Sequence, residues 1–200
     1  MNNKSLVIGG IVGLVLGLLI SPVLFRGQGM MNNGIVGNSH MMGNIDRHFI
    51  EQMIPHHEGA IEIAKLALEK GKHPEIKTLA ANIISAQQKE ITDMKTWYKN
   101  WFGTEVPVTS QHMMGGQMMG GSQTHMGSMS GDLDTLKIAK DFDQEFIRQM
   151  IPHHEMAVMM AVMLKGSTNR PEMKQLAENI VTSQTQEIEM MRGWAKDWSK

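Results

Sequence analysis

Two segments, Met53-Ile54-Pro55-His56-His57-Glu58 and Met150-Ile151-Pro152-His153-His154-Glu155, place a thioether three and four residues ahead of two imidazoles. On a helix those separations bring the side chains onto one side. Met53 with His56 or His57, and Met150 with His153 or His154, are therefore candidate nitrogen/sulfur ligand pairs. Methionine sulfur is a soft, neutral donor that suits monovalent copper and needs no deprotonation to bind. Consecutive histidines lie about 100° apart around a helix, so only one of each pair faces a given core direction fully. The structural alternative is a core histidine hydrogen-bonded to a carboxylate.

Composition favours soft-metal chemistry. The 200 residues include 21 methionines and no cysteine. Ten of those methionines fall in Gly/Ser/Asn/Gln-rich segments without amphipathic period, where core packing cannot explain them. One segment holds Met30-Met31 and His40-Met41-Met42. The other holds His112-Met113-Met114, Met118-Met119, His125-Met126 and Met129. Three clusters place His directly before Met and read as flexible traps for a soft ion; the alternative is a composition-biased linker. In the second helical copy, His153, Met156, Met160 and Met163 step by three, four and three, with Met159 beside them. That stripe is either a richer copper site or filler in a looser core.

The elements that position these groups come from a duplication. Residues 46–101 align with 143–198 at a constant offset of 97 without a gap. Each copy reads as two helices, broken at Gly71-Lys72-His73-Pro74 and at 166–171, with glycine after one helix and proline opening the next. Ile76, Leu79, Ala80, Ile83, Gln87, Glu90, Met94, Trp97 and Trp101 define one face of the second helix at spacings of three and four. Met173, Leu176, Ile180, Gln184, Glu187, Met191, Trp194 and Trp198 repeat it. Gln87, Glu90, Gln184 and Glu187 interrupt apolar faces and need partners; the histidine pairs of the facing helices are the obvious ones. Pro55 and Pro152 either interrupt and kink helices beginning near Asp46 and Asp143, the reading we favour, or stand near the helix starts. Asp132 caps a further helical stretch through Leu136, Ile138 and Ala139. Two thin hairpins packed together make a four-helix bundle.

The predicted organisation is an apolar segment in 1–29, a Met/His/Gly-rich segment at 30–45, a first hairpin at 46–102, a Met/His/Gly-rich linker at 103–131 and a second hairpin at 132–200. Leu6 to Phe25 is almost wholly apolar and long enough to span a bilayer. We expect an export signal or, preferably, an uncleaved tether over residues 5–25, placing the folded part in the periplasm or another extracytoplasmic space. A net charge of −1 gives no hint of nucleic acid. A carboxylate-bridged di-iron enzyme requires Glu-x-x-His. That motif is absent, and Met53-x-x-His56 and Met150-x-x-His153 stand at its spacing. There is no nucleophile constellation and no phosphate loop.

The leading Asp46/Phe49 and Asp143/Phe146, the Met-Ile-Pro-His-His-Glu segments, and Gln87-Glu90-Ile91-Met94-Trp97 with Gln184-Glu187-Ile188-Met191-Trp194 resemble the DUF305 family. The resemblance covers 46–101 and 143–198. It implies an all-α, ferritin-like four-helix bundle built from two duplicated hairpins. The tandem form with Met-rich segments is similar to periplasmic copper-binding members linked to copper resistance. The expectation is a non-enzymatic binder of Cu(I), and also of Cu(II) or Ag(I), serving resistance, sequestration or transfer to a copper transporter or chaperone. Its helical ligand candidates are Met53, His56, His57, Met94, Met150, His153, His154, Met156, Met160, Met163 and Met191. Its loop candidates are His40, Met41, Met42, His112, Met113, Met114, His125 and Met126. The competing readings are a helical interaction module without metal and a bundle redox enzyme.

Overall fold

The computed structural model describes residues 39–107 and 132–198, with side chains placed from Ile45 onward. Helix α1 spans Ser39–Lys70, α2 Pro74–Phe102, α3 Leu133–Ile138, α4 Phe142–Ser167 and α5 Pro171–Trp198. Both hairpin breaks fall where the sequence puts them. Pro74 and Pro171 each open a helix, where the missing N–H costs nothing. Gly71 is required at the first break, because a Cβ there would stand 2.6 Å from the Ala67 carbonyl oxygen. At the second break, Thr168 donates the corresponding backbone bond to the Leu164 carbonyl at 2.8 Å.

Helix α1 begins at Ser39, earlier than Asp46, so His40, Met41 and Met42 fall in its first turns. Pro55 and Pro152 lie inside continuous helices. Each removes the N–H that the carbonyl four residues earlier would accept, at Glu51 and Arg148. Asp132 caps as expected, accepting from the Thr135 N–H at 2.9 Å. The helix it caps is short and ends at Ile138; Asp141 then caps α4 separately through the Gln144 N–H.

Helix α1 pairs with α2, α4 with α5, and α1 crosses α4. The core forms two clusters related by the duplication. One joins Phe49, Ile50, Met53, Ile91, Met94 and Tyr98 to Ala161, Leu164, Met173 and Ile180. The other joins Ile63, Ala67, Ile76 and Ile83 to Phe146, Ile147, Met150 and Met191. The early part of α1 thus meets the late part of α4, so the two run antiparallel. The result is a four-helix bundle with α3 as a short attachment against α4. Each fully buried Ile, Leu, Met or Phe contributes about 1.5–3 kcal/mol.

Expectation and structure differ at the end of α2. The buried residues there are Ile91, Met94 and Tyr98, whereas Trp97 and Trp101 are half-buried. A helix of 3.6 residues per turn drifts relative to a strict three-four alternation, and over four turns the stripe moves from Trp101 to Tyr98.

Two cross-copy clasps close the ends. The buried Asp143 carboxylate accepts from the backbone N–H groups of Lys72 and His73 and from His73 Nδ1. The His73 ring stacks on Trp198 at 3.7 Å between centroids. At the equivalent position Arg170 pairs with buried Asp46 at 3.1 Å and lies 4.0 Å above the Trp101 ring. The leading aspartate of each copy therefore holds the turn of the other. Asp143→Ala leaves buried N–H groups without acceptors and should cost about 2–4 kcal/mol in urea unfolding. Asp46→Ala releases the part-exposed Arg170 and should cost less.

Candidate metal centre

The crossing of α1 and α4 carries four imidazoles. His56, His57, His153 and His154 are all buried. Pro55 and Pro152 immediately precede them, at the crossing itself. Ring centroids run 6.3 Å from His57 to His56, 3.7 Å from His56 to His153 and 6.3 Å from His153 to His154. His56 and His153 are equivalent positions of the two copies, so a pseudo-twofold axis passes between them.

The outer histidines face carboxylates. His57 Nε2 lies 2.6 Å from Glu90 Oε2, and His154 Nε2 lies 2.6 Å from Glu187 Oε2. A carboxylate only accepts, so Nε2 carries the proton and donates. In the neutral ring Nδ1 then keeps its lone pair. In both residues Nδ1 is buried without a hydrogen-bond partner, as is Nδ1 of His56. Buried polar atoms are rarely left so. A carboxylate that orients an imidazole and leaves its other nitrogen bare is the arrangement that presents histidine to a metal. Gln87 and Gln184, one turn from these glutamates, also hold buried unpartnered Oε1 atoms.

Sulfur stands nearby on both sides. Met53 is one turn before His56 and His57 on α1, and Met94 one turn after Glu90 on α2; both are buried in the first cluster. Met150 and Met191 hold the equivalent places in the second. Each half thus brings an imidazole nitrogen and two thioethers into one interior region. These donors are neutral, and a carboxylate sits behind the imidazole. Imidazole nitrogen and thioether sulfur together form a soft, neutral donor set, with Glu90 or Glu187 supplying a nearby carboxylate. Among the described residues no three His, Asp or Glu side chains converge to hold a metal ion.

Sequence reasoning anticipated the bonds to Glu90 and Glu187. It did not foresee the meeting of His56 and His153. The gapless duplication held that signal, because residues on a twofold axis meet their own equivalents. The Met stripe of α4 is divided by the structure. His153 is buried and Met160 half-buried, but Met156 and Met163 face solvent. They are therefore not filler in a looser core. Side chains of His40, Met41 and Met42, and the segments holding Met30, Met31, His112, Met113, Met114, Met118, Met119, His125, Met126 and Met129, lie outside the described residues. So does Leu6 to Phe25; among the described residues no helix is long and apolar enough to cross a membrane.

Comparison with known proteins is consistent with this geometry. Residues 46–195 match the model of a domain of unknown function, DUF305. Solved structures of CopM in apo, Cu(I)-, Cu(II)- and Ag-bound forms are 48% identical to this chain. The Cu(I)-bound form superposes with a TM-score of 0.66, covering 78% of this chain and 98% of that one. A DUF305 fragment from Deinococcus radiodurans is 27% identical with a TM-score of 0.59, covering 76% and 96%. An uncharacterised protein of Acanthamoeba polyphaga mimivirus is 43% identical over 51 residues, spanning 26% of this chain and 34% of that protein.

His56 supplies a pH test. Burial, reinforced by His57 and His154, lowers its pKa from 6.5 to about 3. Between those values the unfolded chain binds a proton that the folded chain refuses. Stability is therefore full above about pH 6.5 and falls as pH drops toward 3, by about 1.4 kcal/mol per pH unit for this one group. Urea melts from pH 7.5 to 4.5 should show that slope, and His56→Leu should reduce it.

Proposed function

The chain belongs to the DUF305 family, and we propose that it is a copper-binding member that takes Cu(I) on paired His/Met sites in the bundle interior. The observation that carries this reading is the repeated dyad: His57 on Glu90 and His154 on Glu187, each with Nδ1 bare and buried. The 48% identity to CopM, a protein solved with Cu(I), Cu(II) and silver bound, supports it. In this reading His57 with Met53 and Met94 serves one ion, and His154 with Met150 and Met191 the other. His56 and His153 stand between the two as neighbouring nitrogen donors.

The protein acts as a binder, not as an enzyme. It works outside the cytoplasm and is held at a membrane by residues 5–25; the apolar run of Leu6 to Phe25 supports that placement. Its Met/His-rich segments enlarge the capacity for soft ions. Sequestration and delivery to a copper transporter or chaperone both follow from reversible binding of this kind.

Competition of Cu(I) against a chromophoric chelator tests the site, with Zn(II) as control. The wild-type chain should take up Cu(I) tightly and Zn(II) weakly. Glu90→Gln with Glu187→Gln keeps an acceptor for each imidazole but removes the charge, and should weaken Cu(I) about 10–100-fold. Met53→Leu with Met150→Leu preserves core volume and should also lower affinity. Unchanged affinity removes these two methionines from the ligand set, and no Cu(I) uptake by wild type ends the reading.

A further inference from the structure

The outward face of α4 carries thioethers that the buried sites do not use. Met156, Met159 and Met163 are 41%, 51% and 61% exposed. Met160 is half-buried against the first core cluster. The four stand at steps of three and four residues. Such neighbours have Cβ atoms about 5–6 Å apart, and the flexible, unbranched methionine chain lets several sulfurs turn toward one point.

The duplication supplies an internal comparison. Ninety-seven positions earlier, Met156, Met159, Met160 and Met163 are Gly59, Glu62, Ile63 and Leu66. Val162 corresponds to Lys65. Glu62 and Lys65 are exposed on α1, so that helix carries charge where it faces water. At the place of Glu62, α4 carries Met159, and at that of Lys65 it carries Val162. Of the four methionine positions only that of Glu62 and Met159 is exposed in both copies; Gly59 and Ile63 are buried and Leu66 half-buried on α1, whereas Met156 and Met163 turn to solvent on α4.

Nearby charges are engaged elsewhere. Glu155 pairs with Arg192 at 2.6 Å, and Lys165 with Glu178 at 3.1 Å. Both pairs point from α4 toward α5 at the two ends of the methionine face. Between them the donors on this face of α4 are sulfurs, which favour a soft ion over a hard one.

We propose that Met156, Met159, Met160 and Met163 form a solvent-facing thioether site for a monovalent soft ion, Cu(I) or Ag(I), distinct from the buried His/Met sites and present only in the second copy. An ion on this face exchanges with solvent or with another carrier without opening the bundle. The identity of the ion, but not the geometry, rests on the function proposed above.

Oxidation footprinting with silver tests it. The full chain is treated with dilute hydrogen peroxide, with and without Ag(I), and methionine sulfoxide is mapped by mass spectrometry. Exposed methionines oxidise first. With free Ag(I) at about ten times the dissociation constant, oxidation of Met156, Met159 and Met163 should slow about ten-fold. The variant M156L/M159L/M163L, altered only on the surface, should bind about one silver equivalent fewer. Unchanged oxidation of these three while silver is bound elsewhere overturns the surface site and leaves the buried sites standing. No silver binding anywhere on the chain overturns both.

Discussion

The pairing of a buried imidazole with a carboxylate, made twice, governs the interior of this bundle. An ionised glutamate reaching into an apolar core requires a donor, and His57 and His154 supply it. Meeting that requirement fixes the imidazole tautomer and leaves a bare nitrogen on the far side. The surroundings then have to tolerate a lone pair without offering it a proton. Thioethers do so, being polarisable and uncharged. Burial chiefly, with His57 and His154 adding to it, holds His56 neutral down to acidic pH.

The ends of the bundle obey a different rule. Asp46 and Asp143 sit low in accessibility, and each finds its partner on the opposite hairpin. Aromatic rings then cover the partner: Trp198 over His73, and Trp101 over Arg170. Each hairpin contributes acid to one clasp and base to the other. Neither hairpin satisfies its own buried carboxylate, so the two fold as one unit. The tryptophans that periodicity assigned to the core serve this closure at its rim.

The hairpin breaks were legible because proline opens the second helix at matching points of the two copies, Pro74 and Pro171, although Thr168 stands where the first copy has Gly71. The His–Glu contacts were legible too, since Gln87, Glu90, Gln184 and Glu187 are costly residues on apolar faces and histidine was the available partner. What spacing along one helix cannot convey is which helices cross. The contact of His56 with His153 depends on the α1–α4 crossing, and so do the clasps of Asp46 and Asp143. Exposure on α4 was equally hidden: a methionine at helical spacing reads the same whether it faces core or water. Only the fold shows that Met163 lies outside and Met150 inside.

The pseudo-twofold arrangement bears on ancestry. A single hairpin with these motifs would close the same bundle by pairing with a second copy of itself, with identical clasps and an imidazole from each protomer on the axis. In such a homodimer every substitution falls on both halves at once. Joining the halves in one chain lifts that coupling. One clasp has come to use histidine and the other arginine, and Met159 on α4 stands where α1 has Glu62. Covalent fusion thus allowed a symmetric scaffold to keep two equivalent buried imidazole–carboxylate pairs while its surfaces evolved apart.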